Sequence, residues 1–157
     1  MLFRSERSSW NIRIGNDEER KNGDTFEFMK AFKKFKDAEH SPVCYIFIND
    51  FYNAIDRASL LTNESDKNTI MFESNKNEVL VSSNIPEIGN VKENITVENI
   101  TGKNIQIAFS SKYMMEALKT FDASEIELCF NGDIKPIILK NKEDDSLIQL
   151  IVPIRTY

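Results

Sequence analysis

The chain reads as an α+β domain built from two pseudo-repeated β-α-β-β-β units, with two helices packed on one side of antiparallel sheets. Three observations predict this. From Val43 onward a short apolar strand precedes a helical stripe and then three alternating, strand-length segments; the same order recurs from Ile105; and turn residues separate the segments in both copies. Sheets of this kind bury the helix stripes from one side and leave the opposite helix faces free.

In the first unit the strand covers residues 43–48. Asn49 or Asp50 stands where a side-chain oxygen caps the orphan N–H groups of the helix that follows. Phe51, Ala54, Ile55, Ala58 and Leu61 recur at helical spacing and form its stripe. After a polar break over 62–68, strands are expected over 69–73, 78–83 and 88–97, with Asn75, Lys76 and Asn77 as a turn. In the second unit a strand over 105–109 leads to a helix capped by Ser110 or Ser111, with Met114, Ala117, Leu118 and Phe121 in its stripe. Strands over 125–130, 136–140 and 147–152 follow, separated by Asn131-Gly132-Asp133 and by a charged loop over 141–145.

Residues 1–42 stand outside the repeat and form an N-terminal extension to the domain at 43–157. Residues 1–15 alternate weakly through Trp10, Ile12 and Ile14. Asp24 and Glu27 have capping-box spacing, and Phe28, Phe32 and Phe35 share one face of a basic amphipathic helix over 24–37 that ends before Pro42.

With 157 residues, 41% hydrophobic and 29% charged, the chain has the composition of an ordinary globular domain. No run approaches the ~18 apolar residues of a membrane span, and charge follows Met1 at once, so a cytoplasmic location is expected. Residues 1–40 carry nine Lys and Arg against eight Asp and Glu, whereas the rest carries eleven against seventeen. Such an acidic body is not attractive to nucleic acid as a whole, so any contact with DNA uses a local basic face. Cys44 and Cys129 sit in apolar runs without C-x-x-C spacing, which predicts two buried, reduced thiols.

Catalytic chemistry finds little to work with. His40 is the only histidine, the five glycines form no phosphate loop, and the acid pairs Asp144-Asp145 and Glu18-Glu19 fall in loops of mixed charge. The expectation is a protein that is not an enzyme and holds no metal or cofactor. A small metal-dependent nuclease using Asp144 and Asp145 is the catalytic alternative.

Four segments carry a family resemblance: Ala54 to Leu61 (AIDRASLL), Ser83 to Gly89 (SNIPEIG), Ser111 to Leu118 (SKYMMEAL) and Gln149 to Tyr157 (QLIVPIRTY). In this order they resemble the C-terminal domain of the bacterial DNA polymerase III beta subunit, the sliding clamp, over about 43–157. Subunits of that family consist of three such domains and close head to tail into a ring around duplex DNA. The resemblance implies a DNA clamp fold and a DNA replication processivity factor, here truncated or rearranged.

The resemblance also implies sites. A cleft for short peptide motifs of the polymerase III alpha subunit, the clamp loader and repair proteins corresponds to Ile134, Pro136, Leu150, Val152, Ile154 and Arg155. Leu60 and Leu61 correspond to a subunit interface, and Arg57, Lys112 and Lys119 to helix faces turned toward double-stranded DNA without base readout. The other wall of the family's cleft comes from a preceding domain, for which the Phe28/Phe32/Phe35 helix is a substitute or else a cover for its own core.

The residues alone leave alternatives open. Leu150, Val152 and Ile154 alternate as in any half-buried last strand, so at least one belongs to the core. Arg57, Lys112 and Lys119 also suit an ordinary solvated face with i,i+4 pairing such as Lys112 with Glu116. A second functional reading is a stand-alone structural or regulatory module that associates through its basic N-terminal helix.

Overall fold

The computed structural model describes residues 2–6, 9–13, 42–63, 67–97, 99–144 and 146–155. The expected helix over 24–37, with His40 and Glu18-Glu19, lies outside them. Strands β1 (Leu2–Glu6) and β2 (Ser9–Arg13) come first. The first unit follows as β3 (Val43–Phe47), α1 (Ile48–Ala58), a 3-10 turn (Ser59–Leu61), β4 (Thr69–Asn75), β5 (Glu78–Ile85) and β6 (Gly89–Thr96). A short β7 (Asn99–Thr101) links it to β8 (Gln106–Ser110), α2 (Ser111–Leu118), β9 (Glu125–Cys129), β10 (Ile137–Lys140) and β11 (Leu147–Ile151). The repeat expected from periodicity is present in both copies.

Among the described residues one sheet runs β2-β1-β11-β10-β9-β3-β7 and the other β6-β5-β4-β8. Each unit therefore gives its first strand to the other unit's sheet. β3 pairs antiparallel with β9 from Val43 opposite Cys129 to Phe47 opposite Glu125, while β8 pairs antiparallel with β4 from Ser110 opposite Thr69 to Gln106 opposite Glu73. The exchange ties both halves into one core. Phe51 and Phe72 from the first unit meet Phe109 and Phe130 from the second, with ring centroids 5.1 to 6.5 Å apart. Burial of such rings, at roughly 25 cal/mol per Å2, is the main force joining the units.

The helix stripes fall as expected. Phe51, Ala54, Ile55 and Ala58 of α1 and Met114, Ala117 and Leu118 of α2 are buried, as is Phe121, whereas Leu61 is only half-buried. The start of α1 differs from the expected cap at Asn49 or Asp50. The helix begins at Ile48, behind Phe47, without a side-chain cap, because the Ile48 N–H donates to the Ser124 carbonyl at 2.9 Å. A loop of the second unit thus satisfies an orphan donor that a local side chain usually takes. At the other end Ser83 Oγ donates to the Ala58 carbonyl at 2.6 Å. In α2 the cap is Ser110, whose Oγ accepts from the Tyr113 N–H at 3.4 Å.

The expected turns are also in place. Lys76 turns the β4–β5 hairpin with φ of 54°, and Gly132 turns the chain after β9 with φ of 95°. β7 was not expected, since three residues are too few to show a period. Neither were β1 and β2, which extend the larger sheet by pairing β1 with β11, Leu2 opposite Gln149 and Arg4 opposite Leu147.

Both cysteines are free and buried. Cys44 stands opposite Leu128 and Cys129 opposite Val43, one register step apart on neighbouring strands, so their side chains leave opposite faces of the sheet. A bond between them is sterically out of reach. Among the described residues no helix is long and apolar enough to cross a membrane.

Candidate protein-binding site

The site develops where β10 and β11 end together. Ile137 is opposite Ile151 and Ile138 opposite Leu150. Ile137, Leu139 and Ile151 face the core between helices and sheets, so by alternation Ile138 and Leu150 lie on the outer face. There they continue a row from Cys129, which is opposite Ile138 on β9. One step beyond the last pair, Pro136 and Val152 carry the same face toward solvent.

After Ile151 the chain leaves β10 and crosses to the smaller sheet, where the Ile154 N–H donates to the Ala108 carbonyl of β8 at 2.8 Å. This crossing fixes the tail. It leaves Val152 61% exposed, Ile154 half-buried and Arg155 exposed, and Ile134 on the preceding loop is 63% exposed. Pro136 is half-buried. Leu150, expected in the same cleft, is only 5% exposed and forms a buried base from which the exposed residues continue. It is the residue whose alternation belongs to the packed sheet.

Ile138 was missed as a neighbour of this group. A signal existed in the sequence, since the unbroken run Ile137-Ile138-Leu139 is that of a strand buried on both faces.

The helix faces expected to meet DNA form a second group. α1 packs on β5 and β6 and against α2, with Asp50, Asn53, Asp56 and Arg57 outermost on α1 and Lys112, Tyr113 and Glu116 on α2. Arg57 Nε lies 3.1 Å from Glu93 Oε1 on β6, and the resulting hydrogen bond holds the guanidinium pKa above its usual range. Lys119 Nζ, at the end of α2, lies 5.6 Å above the ring of Tyr52 on α1, a cation–π contact between the two helices. The expected pairing of Lys112 with Glu116 is not formed; the ion pairs among the described residues are Arg57–Glu93 and Lys140–Glu127. The geometry favours Glu93 because a strand beside the helix offers Arg57 a fixed carboxylate.

Leu60 and Leu61 occupy the 3-10 turn that ends α1. Leu60 is 77% exposed, and Thr62 Oγ1 donates to the Ser59 carbonyl at 2.8 Å to hold the turn. Asp144 accepts from the Ser146 N–H at 2.9 Å, which pulls its carboxyl below the usual range, and Asp145 lies outside the described residues. That arrangement is a loop turn. Among the described residues no group of three His, Cys, Asp or Glu is placed to hold a metal.

A match to the family model for the C-terminal domain of the DNA polymerase III beta subunit spans residues 38–155. The chain belongs to this family. Its sliding-clamp relatives include the Beta sliding clamp of Staphylococcus epidermidis, 54% identical over 108 residues, and that of Staphylococcus aureus, 52% identical over the same length. Each match covers 69% of this chain and 29% of the relative, so the chain spans under a third of the length of these clamps. The sliding clamp of Bacillus subtilis has the same fold, with a TM-score of 0.73 and 38% identity over 76% of this chain and 32% of that one. The crossed β-α-β-β-β pair is thus a sliding-clamp domain.

Proposed function

We propose that the chain serves DNA replication as a sliding-clamp domain and that it acts by binding, with its tail as the receptor for short peptide motifs of the polymerase, the clamp loader and repair proteins. The observation that carries this is the apolar row leaving the packed sheet: Ile138 and Leu150 form a buried base, Pro136 and Val152 continue it into solvent, Ile134 is exposed on the loop before β10, and Ile154 is half-buried on the crossing after β11. A peptide leucine or aromatic ring set there buries apolar area at roughly 25 cal/mol per Å2, and exposed Arg155 supplies a polar contact that orients it. Leu60 and Leu61 are the surface for a neighbouring subunit, and the outer faces of α1 and α2 are the surface for duplex DNA in a complete ring. Residues 43–157 form the clamp domain in this reading, and β1 and β2 extend its larger sheet.

A fluorescence-polarisation titration of a labelled clamp-binding peptide tests the receptor. Saturable binding is expected, lost in both Val152→Asp and Ile154→Asp while circular dichroism stays unchanged. Binding that survives both substitutions places the receptor elsewhere.

A further inference from the structure

On the helix faces two of the three cations are held by the fold, and the way they are held bears on how tightly the domain can grip DNA. Arg57 and Lys119 each have a partner within the fold. Arg57 is drawn toward β6 by Glu93, and Lys119 lies over Tyr52. The guanidinium also lines a polar cleft between α1 and β6, with Asp50, Asn53, Asn94 and Thr96 around it. A phosphate that approaches Arg57 must therefore compete with a carboxylate already 3.1 Å from Nε. The remaining charges of the face, Asp50, Asp56 and Glu116 against Lys112, add no attraction.

We infer that Glu93 is a positioning residue that holds Arg57 against β6 and thereby keeps the contact between this helix face and DNA phosphate weak. The inference rests on the DNA-facing reading of α1 and α2. Its chemical content is a competition between two anions for one guanidinium. The carboxylate is attached to the fold and already offsets much of the guanidinium's charge, so a phosphate gains little from the contact and finds no deep minimum at any position along the duplex. A processivity factor needs that property, because a strong fixed contact would stop it from moving.

The test is a duplex-DNA titration by fluorescence anisotropy, beginning at about 10 mM salt, with the full chain, Glu93→Gln, Arg57→Ala and the double variant. Freeing Arg57 for one additional phosphate steepens the dependence of log K on log salt by about 0.9 and raises affinity several-fold at low salt. Both changes are expected in Glu93→Gln and are expected to vanish in the double variant. A gain that persists without Arg57, or that is matched by Asp133→Asn in the loop between β9 and β10, is a general charge effect and overturns the inference. Binding that Lys112→Ala weakens but Glu93→Gln leaves unchanged overturns it too, with the DNA-facing reading intact. No binding by any variant overturns both. A merely structural role for the ion pair would alter melting temperature and leave the salt slope unmoved.

Discussion

The two units end in the same manoeuvre with different results. After β6 the chain crosses to the free edge of β3, and β7 seals that edge over three opposed pairs, Val43 with Thr101, Cys44 with Ile100 and Tyr45 with Asn99. After β11 it crosses to the free edge of β8, where the bond from Ile154 N–H to the Ala108 carbonyl holds it among the described residues. The first crossing closes a sheet. The second leaves Val152 in solvent and Ile154 half-covered beside the buried row of Leu150 and Ile138. The repeated architecture is less tightly sealed in its second copy than in its first, and the proposed binding surface lies at that place.

The comparison is broken outright by removing what both units share. Phe72→Ala takes away a ring in contact with Phe51, Phe109 and Phe130 and is expected to cost about 3–5 kcal/mol. Urea denaturation followed by fluorescence and by circular dichroism should give one coincident, lowered transition. Two separated transitions would mean that the units fold independently, contrary to the strand exchange.

The difference between sealed and open positions sharpens at the tail. Leu150→Ala should lower stability by about 2–5 kcal/mol, as for a packed leucine. Val152→Ala should change it by no more than about 0.5 kcal/mol while weakening peptide binding. Urea midpoints beside peptide titrations separate the two, and equal stability losses would show Val152 to be part of the packing.

A smaller contrast lies in how the two helices begin. Ser110→Ala removes the α2 cap and should cost about 1 kcal/mol, whereas Asn49→Ala should stay within about 0.5 kcal/mol because a loop carbonyl already satisfies Ile48. Thermal melts of the two variants check this, and an equal loss would give Asn49 a role in the helix start.

The smallest effect at neutral pH concerns the two faces of the larger sheet. Burial, reinforced by Glu125 for Cys44 and Glu127 for Cys129, pushes both thiols up to about 12 from an ordinary 9.0. A folded pKa raised above the unfolded one favours folding below the unfolded value, so stability should be flat to about pH 9 and fall between about 9 and 12. Denaturation midpoints across this range, with the Cys44→Ala/Cys129→Ala variant as the flattened control, test the sign. Faster labelling of Cys129 than of Cys44 by a thiol reagent would show that the outer face opens before the core.

Much of this was legible in the sequence because periodicity reports faces. The stripe at Phe51, Ala54, Ile55 and Ala58, the stripe at Met114, Ala117 and Leu118, and the turn at Lys76 all follow from local rules. Periodicity does not report neighbours, however, so nothing in residues 43–47 announced that they pair with β9 and not with β4. The start of α1 was misplaced for the same reason, since its first donor is satisfied by Ser124, distant in sequence and adjacent in space. At the site, the family resemblance named Leu150, Val152 and Ile154, and alternation added that at least one of them belongs to the core without saying which. Their exposure depends on where the chain leaves β10, a feature of the crossing that no local pattern encodes.

The exchanged strands also set a timetable for the chain's own synthesis. β3, paired with β7 on one edge, finds its second partner only when β9 exists, and β1, paired with β2, finds its second only when β11 does. On the ribosome the first half therefore emerges with one edge of β3 open and a helix whose first donor has no acceptor until Ser124 is translated. Early strands with open edges are what chaperones recognise and what aggregation exploits. For this fold the hazardous interval lasts until the last strand has been made.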